Sequence, residues 1–232
     1  MSLGNKRGAA AALLVISMLA SLALAQAASA ATISTKKACY VAVDPDEQLK
    51  VPVTGSGYTP GEKIVVEVLE FGEDDSILGY KFFIPDANGK IAGAITNTYA
   101  FSDAVSAEKV RLRVRGGEDE ATLVEAPMWM AYRELTATPW HHVKPHQTIT
   151  LEGAGFKSGK PLYAHYVHDG KQVMSAKVGK TTGPCGLIKT KTQLFPFKHS
   201  HFGEYDVQYD NSKKYNPKTH PKVVHPLLPG KF

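Results

Sequence analysis

The sequence predicts an all-β protein, two tandem β-sandwiches behind an N-terminal export signal, and three observations carry that expectation. Beyond residue 30, apolar residues alternate with a period of two in run after run, and no stretch keeps a helical period. Glycine and proline punctuate those runs as turns would. A twenty-residue segment then recurs 98 positions further along the chain.

The export signal comes first. Lys6 and Arg7 give a positive start, Ala9 to Ala25 form an uncharged apolar stretch, and Ala28-Ser29-Ala30 fits a small-x-small cleavage site. The stretch is short and alanine-rich for a membrane anchor, so residues 1–30 are expected to be removed. The expected product begins at Ala31, is secreted to the extracellular or cell-wall space, and keeps no stable membrane insertion.

The repeat sets the domain size. Leu49–Val68 reads LKVPVTGSGYTPGEKIVVEV and Gln147–Tyr166 reads QTITLEGAGFKSGKPLYAHY. The shift places Gly55 on Gly153, Gly57 on Gly155, Tyr58 on Phe156 and Gly61 on Gly159. A period near 98 residues is the length of one immunoglobulin-like sandwich. The expected domains are residues 31–134 and 135–232, joined by a short linker near Glu134–Pro139.

In the first half, Cys39–Val43 opens the series of strands. Leu49, Val51 and Val53 then mark one buried face, Thr59-Pro60-Gly61-Glu62 suits a type II turn, and Ile64, Val66 and Val68 resume the alternation. Leu78–Ile84, Ile91–Thr96, Val110–Arg115 and Leu123–Tyr132 follow, the first two separated by the turn Pro85–Gly89. In the second half, Asp169-Gly170 marks a tight hairpin with Val173–Val178 as its return strand. Leu187–Leu194, Tyr205–Tyr209 and a tail strand at Val223–His225 complete the set. Tyr58 and Phe156 are expected to close the end of each core.

Charge divides the chain in the same place. Ala31–Thr138 holds 11 Lys and Arg against 17 Asp and Glu, a balance of −6. Pro139–Phe232 holds 14 Lys, no Arg and 5 acids, a balance of +9, together with all 9 histidines. A basic half suits an anionic surface such as a cell-wall polymer, or another extracellular protein. Export and the absence of arginine from that half argue against nucleic acid.

Gly203-Glu204-Tyr205-Asp206-Val207 is similar to the G-x-Y-x-C of immunoglobulin F strands, with Val207 at the cysteine position. With ACYVAV, GSGYTPGE, HYVHDGK, GPCG, QLFPF and KYNP, it resembles secreted actinobacterial proteins of tandem immunoglobulin-like domains. That resemblance implies architecture and no activity. The GSGYTPGE turn alone also resembles the neocarzinostatin-type sandwich, whose two-disulfide pattern this chain lacks.

Few residues suggest chemistry. Cys39 and Cys185 are the only thiols, one in each half and not equivalent under the repeat. An even count in an exported chain favours their pairing, against two free thiols or a catalytic cysteine. His165, His168, His199 and His201 are candidate ligands for a zinc or copper ion, with scattered surface histidines as the simpler expectation. His165 falls on Glu67 under the repeat, between the core-facing Ala164 and Tyr166, so it is expected to face outward. Lys189, Lys191, Lys198, Lys213 and Lys214 are candidates for an anion-binding surface, against lysines that merely protect a sheet edge. Gly179-Lys180-Thr181 lacks the first glycine of a P-loop, HExxH is absent, and Glu73-Asp74-Asp75 lacks the spacing of a calcium loop.

The expected function is therefore a non-catalytic adhesion, cell-envelope or extracellular ligand-binding protein without a cofactor. The alternative is a secreted hydrolase with its site at the domain junction.

Overall fold

The structure is a computed structural model that describes residues 30–44, 47–70, 76–97, 107–116, 121–140, 144, 146–195, 203–219 and 222–227. The expected signal segment lies outside these residues, apart from Ala30. So do Glu73-Asp74-Asp75, Lys198, His199 and His201.

Every regular element among the described residues is a strand. The first half contains β1 (Thr32–Thr35), β2 (Cys39–Ala42), β3 (Leu49–Ser56), β4 (Ile64–Glu70), β5 (Ile77–Phe83), β6 (Ile91–Asn97), β7 (Ala107–Gly116) and β8 (Ala121–Tyr132). The second contains β9 (Glu134–Thr138), β10 (Thr148–Ala154), β11 (Pro161–His168), β12 (Lys171–Lys180), β13 (Ile188–Gln193), β14 (Gly203–Asp210) and β15 (Lys222–Leu227).

Four sheets result. Their orders are β1-β3-β6 and β2-β8-β7-β4-β5 in the first half, β9-β10-β13 and β12-β11-β14-β15 in the second. The 98-residue shift carries β3 onto β10, β4 onto β11, β6 onto β13 and β7 onto β14, so the repeat in sequence is a repeat in topology. The odd strand is β2, which runs parallel to β8 with Cys39 opposite Trp129.

Each sheet pair encloses its own core. Val51, Val53, Ile64, Val66, Val68, Leu112 and Val114 fill the first. Leu151, Leu162, Ala164, Tyr166, Tyr205, Val207 and Tyr209 fill the second. Tyr58 and Phe156, just beyond β3 and β10, are buried in their respective cores as expected, and the Tyr58 hydroxyl donates to the Thr32 carbonyl at 2.6 Å.

Two strands escaped the sequence reading, and one glycine pair shows why they fit. A methyl group at Gly55 would meet the Thr32 carbonyl oxygen at 2.5 Å, and one at Gly153 would meet that of Glu134 at 2.6 Å. These equivalent glycines let β1 and β9 lie against β3 and β10. β9 also corrects the expected linker. Residues 134–138 are not a connector but a strand paired with β10, Leu135 opposite Gly153. Only Arg133 separates the end of β8 from the start of β9.

The turns follow their chemistry. Gly61 has φ of 75°, and the Glu62 N–H donates to the Thr59 carbonyl at 3.3 Å. Asp169 and Gly170 both lie at positive φ, 48° and 72°, as a two-residue hairpin of this type demands.

Candidate functional site

The chemistry of this molecule gathers where the two halves meet. Cys39 on β2 and Cys185 in the turn before β13 form a disulfide, with Cα atoms 5.4 Å apart and 146 residues between them in sequence. Cys185 is buried with Ala131 and Ala154, and Cys39, Val41, Ala107, Trp129 and Leu187 pack against them. This small apolar cluster draws on both halves. Beside it the Gly155 N–H donates to the Cys185 carbonyl at 2.9 Å.

Arg133 closes the same junction. Its backbone N–H donates to Ala42 at 2.8 Å, and its Nε donates to the Gly155 carbonyl at 3.1 Å. Burial lowers the guanidinium from its ordinary value, while Asp210 and Glu47 pull it back up. Beside it opens a cleft of about 420 Å³, lined by Val41, Arg133, Phe156, Lys157, Asp210 and Asn216 among others. That volume is in the range of small-molecule sites, which favour such seams.

Behind Asp210 lies a hydrogen-bonded row. His165 Nε2 is 3.3 Å from Asp210 Oδ1 and 3.0 Å from the Ser212 carbonyl, and His165 Nδ1 is 2.6 Å from Ser175 Oγ. Since Nε2 faces two acceptors, it carries the hydrogen, and the Ser175 hydroxyl donates to Nδ1. Gln172 Nε2 donates to the same hydroxyl at 2.5 Å. Asp210 also accepts from the Ser212 N–H at 2.6 Å and from Gln208 Nε2 at 3.4 Å.

His165 was expected to face outward and be available; the structure corrects this. The alternation is right, because Ala164 and Tyr166 fill the core and His165 points to the other side of β11. That side is covered, and His165 is 0% exposed. The segment after β14 folds back over it, with the Tyr215 ring 5.8 Å from the imidazole. Strand periodicity gives the side of a sheet, and says nothing of a distant segment that seals it.

His168 is occupied as well. It stacks on the Tyr205 ring at 4.7 Å, and its Nδ1 is 3.1 Å from the Glu204 carbonyl. Among the described residues no group of three histidines, cysteines or carboxylates could hold a metal ion.

The lysines fall in two places. Lys189 and Lys191 alternate with buried or half-buried neighbours on the exposed face of β13, and Lys189 pairs with Glu152. Lys213 and Lys214 belong to the segment that follows β14 in the other sheet. The sequence reading missed Arg133, Lys157 and Asp210, which lie at the ends of strands or in turns. The one available signal was the arginine standing alone between the acidic and basic halves.

No protein-family model matches the chain, and no curated protein matches it. A solved structure, a tetra-tandem repeat in the extending region of a large adhesion protein, matches at 13% identity with a TM-score of 0.30. The match covers 84% of this chain and 47% of that one, so the chain spans about half its length.

Proposed function

We propose that this is an exported, non-catalytic adhesion or envelope-binding protein whose lysine-rich second half meets an anionic wall polymer. The observation that carries the reading is the disulfide across the junction. Disulfides persist in oxidising compartments, which is compatible with an extracellular protein. A cross-link between two sandwiches, beside a one-residue connection, fixes the angle at which both surfaces face a ligand. That is useful to a binding module that must hold a fixed geometry outside the cell. The balance of +9 over residues 139–232 supplies the attraction.

A pull-down of the exported protein on purified cell wall of the producing organism tests this. Retention that falls as salt rises is expected, because screened electrostatics weaken with ionic strength. Absence of retention, or retention indifferent to salt, would remove the proposal.

One observation favours the second reading, a secreted hydrolase. Ser175, His165 and Asp210 form a hydroxyl–imidazole–carboxylate row with the connectivity of a catalytic triad. The cleft, however, is lined by Asp210 and not by Ser175, so it meets the row at the end opposite the hydroxyl. A serine-directed fluorophosphonate probe distinguishes the readings. Labelling of the exported protein that disappears in Ser175→Ala would establish the hydrolase; no labelling is the expected result.

A further inference from the structure

The junction cleft has no part in the polymer reading, and its cation is seated by the backbone around it. Gly155 has φ of 83°, and a methyl group there would meet the Arg133 Cα at 2.6 Å, so glycine lets the turn after β10 close on Arg133. The guanidinium is half-buried and spends its Nε on the Gly155 carbonyl at 3.1 Å. Among the described residues, its Nη1 and Nη2 have no hydrogen-bond partner and no carboxylate lies within ion-pair distance. Burial outweighs the pull of Asp210 and Glu47 on its charge. A guanidinium held partly out of water with its fork open is a group that an anion satisfies.

The rest of the lining favours the same kind of group. Among the described residues, the Lys157 ammonium, the Asn216 side-chain nitrogen and the Thr219 hydroxyl are all unengaged. Asn216 uses only its Oδ1, which accepts the Lys218 N–H at 3.0 Å. Asp210 is the one described carboxylate of the lining, and it is already served by the Ser212 N–H, His165 Nε2 and Gln208 Nε2. Glu47 lies outside the lining and holds the Val43 N–H at 2.7 Å. Residues 211–219, which form one side of the cleft, add Lys213, Lys214 and Lys218 and no acid. Open donors therefore outnumber open acceptors, and cations outnumber acids.

The walls are held in place by the protein itself. Val41 of β2 stands two residues from Cys39, whose disulfide ties the first half to the second. On the other side the Lys157 N–H donates to Asn211 Oδ1 at 2.7 Å, and Asn211 Nδ2 donates to the Pro161 carbonyl at 3.0 Å. Gln208 Nε2 holds the Asn216 carbonyl. A cleft of about 420 Å³ with fixed walls suits one small molecule and loses little freedom on binding it.

We propose that this cleft binds a small hydroxylated carboxylate of the sugar-acid class, its carboxylate on the Arg133 fork beside Lys157 and its hydroxyls on Asp210, Asn216 and Thr219. A planar guanidinium meets a planar carboxylate through two parallel bonds. Asp210 in the same lining accepts from a hydroxyl and penalises a dianion such as phosphate. Val41 and Phe156 give the carbon frame an apolar side. The proposal goes beyond the polymer reading and does not depend on it, because that reading needs the outward lysines and this one needs the two walls of the junction.

Calorimetric titration of the exported protein with glucuronate, glucose and inorganic phosphate is the test, with folding of each variant checked by circular dichroism. Glucuronate is expected to bind saturably with a Kd of about 1 mM or below, and glucose and phosphate to bind about tenfold more weakly. Arg133→Lys keeps the charge and removes the fork, and should weaken glucuronate binding about tenfold. Arg133 also supports the junction, so a second variant works from the opposite wall: Thr219→Trp fills the cleft and should abolish binding. No saturable binding of glucuronate would overturn the proposal, as would binding that both variants leave unchanged. Glucose bound as tightly would point to a neutral sugar, and phosphate bound as tightly to a general anion site; either result overturns the carboxylate assignment.

Discussion

Glu67 on β4 and His165 on β11 occupy the same position of the repeat, and they solve the same problem in different ways. Both follow a core-facing residue, both point to the outer face of their sheet, and both are buried there. Glu67 is satisfied by its neighbouring strand. Arg115 Nη2 donates at 2.6 Å and Arg113 Nε at 2.9 Å, both from β7. His165 is satisfied by Ser175 on one side, Asp210 on the other, and a segment that closes from β14. An ion pair within the sheet leaves the surface beyond it open for aromatic and cationic side chains. A hydrogen-bonded imidazole needs a lid. The first sheet thus satisfies its buried group from within, while the second relies on a covering segment.

Separating the halves is the largest perturbation of that comparison. Cys39→Ser/Cys185→Ser should lower stability by about 4–5 kcal/mol in the chain-entropy view, since the closed loop is long. Chemical denaturation measures it, and the double variant should also unfold in two steps, one per sandwich. A single transition with unchanged stability would show that the cross-link holds nothing in place.

Glu67→Gln comes next. It leaves two partly buried guanidinium groups facing a neutral amide, at a cost of about 3 kcal/mol. The pH dependence gives the sign independently. Burial alone would raise the Glu67 carboxyl, but its hydrogen bonds and charge contacts with Arg115 and Arg113 win and hold it below the usual range. A carboxyl depressed in the folded state contributes stability above its unfolded value, and loses that contribution as pH falls through its folded value. Stability should therefore decline below about pH 4 in the parent and less so in Glu67→Gln. Equal acid sensitivity of the two proteins would contradict the ion-pair account.

The corresponding change in the second half, Ser175→Ala, should cost less, about 1–2 kcal/mol for one lost hydrogen bond to a buried ring. Thermal unfolding reads it, and a loss as large as that of Glu67→Gln would erase the contrast between the two positions. The smallest effect belongs to Glu108. Burial and the nearby Glu70 charge raise its carboxyl, so its charged form is disfavoured in the fold and the penalty is present at neutral pH. Glu108→Gln should raise the melting temperature at pH 7.5 by ~1 °C and change little near pH 4.

Much of the fold was legible because it is local. The alternation in β3 and β4, the Asp169-Gly170 hairpin and the glycine pattern shared by the repeats each depend on near neighbours in sequence. β1 and β9 were not legible, because Thr32–Thr35 and Glu134–Thr138 are short edge strands with little apolar contrast. Their signal was indirect: Gly55 and Gly153, which leave room for them. The site was harder. Arg133 meets Asp210, and Cys39 meets Cys185, only where the two halves come together, and the cover over His165 arrives from a segment more than forty residues away. Lys109, Arg111, Arg113 and Arg115 alternate along β7 in plain view, yet the net balance of −6 concealed that row. A sum over a hundred residues says nothing about which strand face carries the charge.

The central claim is that two sandwiches are exported and clasped into one body through Cys39 and Cys185. Non-reducing peptide mapping by mass spectrometry, on protein collected outside the cell, tests it most directly. The account predicts an N-terminus at Ala31, one cross-linked peptide pair containing Cys39 and Cys185, and no alkylatable thiol. Two alkylatable thiols in the native exported protein would contradict it and leave the halves free to swing.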